Sequence, residues 1–306
     1  MTSRLLPIAL AAVCLLVNAA VPLLSALLLA MVLGVLVANL RPGPLQLRAA
    51  ASAKHLLRAG VVLLGLRLSL AQLGQIGWRG AVVVLATVAA TFLGTRWLGR
   101  RLGLEEGLTT LVAAGFAICG AAAVATVSQQ VRARQRDVAL ALALVTVYGT
   151  VMIAVVPWAS GLLGLTEQDA AAWAGASIHE VAQVVAAASL LGPGALAVAT
   201  TVKLARVVML APVTALVGGR GARVPWFVTG FVLAVLLRST GRLPEGVLAV
   251  ADQAATLLLA AGMVGLGLGI RLRELWPVPG RVLGLGAAST VVAAGVPLAV
   301  LAVLPA

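Results

Sequence analysis

This sequence predicts an all-α polytopic membrane protein, and three observations carry that prediction. Hydrophobic residues make up 62% of the chain, charged residues 10%, and mean hydropathy is +1.11, whereas about a quarter of a soluble domain is charged. Apolar runs of about 20 residues, the length that crosses a bilayer as a helix, recur from end to end of the 306 residues. These runs do not alternate apolar with polar residues, as the ~10-residue strands of a membrane barrel would. The expectation is a single transmembrane domain over 1–306 with about 9–11 segments.

The elements follow in order. The first run, Leu5 to Val17, follows Arg4 and imitates the apolar stretch of a signal peptide. Further apolar runs follow at once, so it reads as a first span near 5–20. Asn18 and Pro22 divide it from a second span near 23–40, since proline breaks a helix interior. Other spans are expected near 54–72, 79–99, 137–158, 195–217, 224–238, 247–270 and 280–304. Two further segments, near 107–131 and 168–192, are long enough either to cross or to enter and return. Trp78, Trp97, Trp158, Trp173, Trp226 and Trp276 fall near span ends, where an aromatic belt lies.

The net charge of +13 does not point to nucleic acid. Nearly all Lys and Arg lie between apolar runs, where they set topology. Arg41, Arg48, Lys54 and Arg58 follow the second span; Arg96, Arg100 and Arg101 precede the first short segment; Arg132, Arg134 and Arg136 follow it. All three groups are expected in the cytoplasm. Glu167 and Asp169 sit in a loop without Lys or Arg, expected outside. If both short segments are re-entrant, Arg220, Arg223, Arg271, Arg273 and Arg281 also fall inside, leaving Arg79, Arg238 and Arg242 as exceptions. The N-terminus is then inside, the C-terminus outside, and the two segments dip in from opposite faces. A broken helix that crosses fits the same lengths.

An internal repeat fits that inversion. Leu56 to Leu66 resembles Leu258 to Leu268, sharing Gly60/Gly262 and Gly65/Gly267, and the match extends to Leu70/Leu272 and Leu73/Leu275. The repeat halves are approximately 1–131 and 168–306. Paired spans running in opposite directions form an inverted repeat, and Gly-interrupted segments in corresponding positions point to a transporter's binding site. The segments starting at Gly115 and Gly175 correspond in this way, sharing Ile118/Ile178, Ala122/Ala182 and Val124/Val184. Cys119-Gly120 in one faces His179-Glu180 in the other.

These residues carry the chemistry. A carboxylate and a histidine inside apolar sequence are costly, and ionisable residues so placed mark proton relays or substrate paths. Histidine titrates near neutral pH without help. His179 and Glu180 are therefore candidates for proton coupling, with Gln183 one turn on as a hydrogen-bond donor. The structural alternatives are that Glu180 caps a broken helix, or pairs with Lys203 or Arg206. Those two cations are three apart, hence on one helix face, and suit neutralisation of Glu180 or of an anionic substrate; Thr200 and Thr201 precede them. If a helix breaks at Gly120, the amides of Gly120, Ala121 and Ala122 offer a half-helix N-terminus to an anion, with Thr126 on the polar side. Cys119 reads as a small apolar filler with no base nearby; a buried thiol is inert. Cys14 and Cys119 suggest neither a disulfide framework nor a metal site. No Walker A, Gly-x-Ser-x-Gly or His-Glu-x-x-His pattern is present, so neither an enzyme nor a cofactor is expected.

At these motifs the chain resembles the YeiH-like family of bacterial inner-membrane proteins, commonly labelled sulfate exporters. The residues that carry the resemblance are Ile118 to Ala123, Ser177 to Ala186, Val202 to Val213, Pro225-Trp226-Phe227 and the Gly60/Gly65 span. The resemblance implies a multi-pass protein of the bacterial cell membrane that moves sulfate, or a related oxyanion such as sulfite, outward. It also implies a small polar residue such as Ser at position 122; Ala122 departs from that pattern and removes a hydroxyl from the anion cradle. The expected function is thus a proton-coupled secondary transporter exporting a small inorganic oxyanion by alternating access. Cys119, Gly120, Ala121, Ala122, Thr126, Gln183, Lys203 and Arg206 would bind substrate. The alternative is a cation/proton antiporter with Glu180 as the ion carboxylate. Expected partners are the anion, protons and the lipid bilayer, with self-association into a homo-oligomer left open.

Overall fold

The fold is given by a computed structural model, which describes residues 2–20, 26–40, 44–131, 133–218, 226–269, 273 and 277–304. The expectations that involve Pro22, Arg41, Arg132, Arg220, Arg223, Pro225, Arg271, Leu272, Leu275 and Trp276 lie outside the described residues. Among the described residues the structure is helical, with no strand. In chain order the helices are α1 (Thr2–Ala20), α2 (Ala26–Leu40), α3 (Pro44–Leu64), α4 (Leu70–Gln75), α5 (Gly77–Arg101), α6 (Glu106–Ala117), α7 (Ala121–Gln130), α8 (Gln135–Leu162), α9 (Glu167–Ser177), α10 (Val181–Ala188), α11 (Ala195–Val208), α12 (Leu210–Gly218), α13 (Trp226–Ser239), α14 (Glu245–Leu268) and α15 (Gly280–Val303). Five stretches are long and apolar enough to cross a membrane: Gly77–Arg101, Gln135–Leu162, Ala195–Gly218, Glu245–Gly265 and Gly280–Val303. Leu6–Val17, Leu29–Leu40 and Trp226–Ser239 are shorter apolar helices. The protein is an all-α polytopic membrane protein.

Contacts divide the chain into two compact units, Met1–Leu70 with Val224–Trp276, and Ala71–Arg223 with Pro277–Ala306. In the first, α14 packs along α2 and α3 through small residues, as helices do where lipid offers no hydrophobic drive to associate. The contacts are reciprocal. A β-carbon added at Gly60 would lie 2.9 Å from the backbone nitrogen of Leu259, and one at Gly262 would lie 2.6 Å from the β-carbon of Leu57. Likewise Gly65 abuts Phe231 O of α13 while Gly267 abuts Met31 O of α2. Residues matched in the sequence repeat therefore exchange equivalent contacts. Arg67, in the 3-10 turn Gly65–Arg67, pairs with Asp252 and donates to Thr256 Oγ1 at 2.7 Å.

In the second unit the long helices α5, α8 and α15 flank two helix–break–helix segments, α6–α7 and α9–α10. Beyond their first turns, helices α6 and α9 are buried over most of their length, as core helices are. The α9 start is well specified. Thr166 caps it by accepting from Asp169 N at 3.1 Å, and Glu167 and Asp169 place acid in its first turn, favourable to the helix dipole. At the other end of the unit, Arg100 and Arg101 occupy the last turn of α5.

An ion pair ties the ends of the first broken segment and a hydrogen bond those of the second. Glu105, before α6, pairs with Arg134, after α7, and Arg96 pairs with Glu106 at 2.7 Å. Glu167, at the start of α9, accepts from Gly194 N at 2.7 Å, at the start of α11. Arg79, an exception to the charge rule, is explained by its partners: Asp169 Oδ1 at 2.8 Å and Leu301 O at 2.7 Å.

One expectation is refined and one corrected. The span 195–217 is found at Ala195–Gly218, with a turn at Met209 between α11 and α12. Pro212 removes the hydrogen bond that Val208 O would accept, so the helix cannot run through unchanged. Trp173 does not belong to an aromatic belt. It is buried, 4% exposed, and donates from Nε1 to Ala294 O at 2.8 Å. Trp78, Trp97, Trp158 and Trp226 are exposed, as a belt requires.

Candidate functional site

The site is built at the two breaks, both in the second unit. Helix α6 stops at Ala117, and α7 begins after Gly120, whose φ of 72° and ψ of −124° suit only a residue without a β-carbon. An added β-carbon there would also lie 2.5 Å from Glu180 Cγ. The second break is extended chain: Ile178 has ψ 147° and Glu180 φ −108°, ψ 150°. Each break leaves carbonyls without partners on one side and amides without partners on the other. Buried away from water, such groups need partners inside the protein.

Two cations from α11 take the carbonyls. Arg206 donates from Nε to Ala117 O at 3.0 Å and from Nη2 to Phe116 O at 2.7 Å, at the end of α6. From Nη1 it donates to Ala176 O at 2.5 Å and Ile178 O at 3.1 Å, at the end of α9. Lys203 Nζ donates to Ile178 O at 2.5 Å. One guanidinium thus holds the C-terminal ends of both broken helices, where positive charge is favoured. α11 comes this close because Gly175 of α9 sits directly against Ala199 O.

Glu180 takes the opposite ends. It is the N-cap residue of α10, and its Oε1 accepts from Ala121 N at 3.3 Å, at the start of α7. A single carboxylate therefore meets both N-terminal ends. Gln183 accepts from Glu180 N at 3.0 Å and donates to Thr146 O of α8 at 3.3 Å. Gly149 leaves the room for its amide. Of the alternatives for Glu180, capping is what the structure shows. Among the described ion pairs, none joins it to Lys203 or Arg206.

The cluster is closed off. His179, Lys203 and Arg206 are 0% exposed and Glu180 is 4% exposed. His179 Nε2 lies 3.3 Å from Thr290 Oγ1 of α15, and the Phe116 ring lies over the imidazole with centroids 4.2 Å apart. Two buried polar atoms at the crossing have no hydrogen-bond partner: Glu180 Oε2 and His179 Nδ1.

The structure thus gathers Cys119, Gly120, Ala121, His179, Glu180, Gln183, Lys203 and Arg206. The three amides expected at the α7 N-terminus are in part engaged: Gly120 N donates to Gly115 O at 2.9 Å, and Ala121 N to Glu180. Thr126 lies further along α7, its hydroxyl donating to Ala122 O at 2.7 Å; Ala122 is half-buried. The Cys119 thiol is free and buried. Thr290 and Phe116 were missed by sequence reasoning. Thr290 had a signal, since Ser289-Thr290 are the only hydroxyl residues in an otherwise apolar span from 282 to 304. Phe116 had none, because an aromatic residue in an apolar run reads as core.

Residues 4–286 match the family described as conserved hypothetical protein 698. A UPF0324 membrane protein of Corynebacterium glutamicum is 40% identical over 294 residues, covering 90% of this chain and 84% of the relative. One from Pseudomonas aeruginosa is 39% identical over 278 residues, covering 82% and 78%. One from Lactobacillus johnsonii is 34% identical over 299 residues, covering 88% and 86%. No solved structure matches the chain. The family shown is the one to which the YeiH-like motifs pointed, and the chain belongs to the UPF0324 family of membrane proteins.

Proposed function

We propose that this protein is a secondary transporter of the bacterial inner membrane that exports a small inorganic oxyanion, sulfate or sulfite, in a proton-coupled, alternating-access cycle. One observation carries the reading: the crossing of the two broken helices holds two buried cations against one carboxylate. The helix ends offset one another, C-terminal against N-terminal, and in the buried interior basic side chains outnumber the carboxylate two to one. Such a field favours an anion. Glu180, with one oxygen unpartnered, and His179, with Nδ1 unpartnered, are the proton carriers. The bridged ends of each broken segment and the reciprocal glycine contacts support two re-entrant segments in an inverted repeat, an arrangement that suits transporters.

The test is flux of labelled sulfate and of labelled sulfite into proteoliposomes, with and without a pH gradient. Gradient-dependent flux of either anion is expected. Flux equal to that of empty liposomes for both anions would sink the substrate assignment. The second reading, a cation/proton antiporter, draws on the same free Glu180 oxygen. Sodium-dependent proton release from purified protein without anion flux would select it.

A further inference from the structure

The contact between His179 Nε2 and Thr290 Oγ1, 3.3 Å, permits two placements of the imidazole proton, since each nitrogen of a neutral histidine is either donor or acceptor. Thr290 decides between them. Its own hydroxyl proton is committed to Gly286 O at 2.9 Å, one turn back along α15. Towards His179 the oxygen therefore presents a lone pair, and Nε2 must carry the proton. That leaves the lone pair on Nδ1, buried and without a partner. The Phe116 ring, 4.2 Å away and tilted 45°, restrains the imidazole on its face, and the Phe116 backbone lies beside it. A buried acceptor without a donor is costly, a cost understandable where a proton arrives during function.

We propose that Thr290 is a positioning residue: it holds His179 as the Nε2–H tautomer and so leaves Nδ1 as the proton-accepting atom of the site. The proposal rests on the reading of His179 as a proton carrier. In the step itself, Nδ1 gains a proton delivered from water or from a protonated oxyanion, the ring becomes imidazolium, and the Nε2–H bond to Thr290 is kept. The charged and titratable groups around it are Glu180 next in the chain, Cys119 at the first break, and Lys203 and Arg206 from α11. α6 faces it with Phe116, behind which Tyr148 of α8 lies with ring centroids 6.2 Å apart, and α15 faces it with Thr290. A proton on Nδ1 adds a further positive charge beside Lys203 and Arg206. An anion bound at the crossing offsets that charge, and by linkage each then favours the other.

The experiment is ¹⁵N NMR of the full chain in nanodiscs, with labelled histidine. The chain has two histidines, and the exposed one, His55, is replaced by Gln to leave one signal. The expected spectrum shows a neutral imidazole protonated at Nε2 and bare at Nδ1. Thr290→Val should lose this single-tautomer spectrum and lower pH-gradient-stimulated flux about tenfold, the effect of one hydrogen bond; Thr290→Ser should restore both. A neutral wild-type ring protonated at Nδ1, or a Thr290→Val spectrum identical to wild type, would overturn the proposal. The spectrum does not depend on transport. The expected tautomer in a protein that carries no oxyanion would leave this assignment standing and remove the transport reading alone.

Discussion

Arg206 and Glu180 divide the unsatisfied backbone of two broken helices between them, cation to the carbonyl ends and carboxylate to the amide ends. The division explains why such costly residues lie next to apolar runs: without them several backbone groups would be buried unpaired. Lysine cannot replace the guanidinium fork, which reaches carbonyls of both α6 and α9 at once. Arg206→Lys should therefore destabilise the protein by about 3 kcal/mol, seen as a lower midpoint of thermal unfolding in detergent. An unchanged midpoint would show that the clamp contributes nothing. Gly120→Ala meets both a forbidden backbone angle and Glu180 Cγ. The backbone term alone costs about 1–3 kcal/mol, and the same unfolding measurement reads it. At this scale the sequence was legible where chemistry was out of place: His179, Glu180, Lys203 and Arg206 stood out as polar residues in greasy surroundings. What each one touches was not legible. The partners of Arg206 stayed hidden because sequence spacing gives the face of a helix, and says nothing of carbonyls 89 or 90 positions away.

Among the elements, hydropathy placed the long spans well, since length and apolarity are what a membrane demands. The breaks at Cys119-Gly120 and His179-Glu180 were readable from glycine and charge. The interruption at Met209 was not, because its cause, Pro212, sits three residues downstream in a run that stays apolar. Trp173 misled for a related reason: an indole needs one hydrogen-bond partner, and Ala294 O supplies it inside the protein as water would at the interface. Helix contact in the first unit depends on Gly34 of α2 lying against the backbone of α14 at Val264 and Gly267. Gly34→Val should push these helices apart and destabilise by about 1–3 kcal/mol. A cysteine cross-linking assay between α2 and α14 should then lose yield, while full yield would show that the close approach is not needed.

For the whole molecule, charge and position agree within the second unit. The pairs involving Arg96, Arg134, Glu105 and Glu106 gather at the ends of α5, α6 and α8, whereas Glu167 and Asp169 lie beyond the far end of α8. The positive-inside rule assigns the first group to the cytoplasm. Cys14 and Cys119 are buried, so background labelling is low. In intact cells, Gln168→Cys should react with a membrane-impermeant maleimide and Arg100→Cys should not; the reverse pattern would invert the topology. The account's central claim, that the crossed breaks form a proton-coupled anion site, is tested most directly in proteoliposomes carrying Glu180→Gln. Glutamine keeps an acceptor for Ala121 N and removes the exchangeable charge. The account predicts a folded protein in which a pH gradient no longer accelerates oxyanion flux, and gradient-driven flux equal to wild type would contradict it.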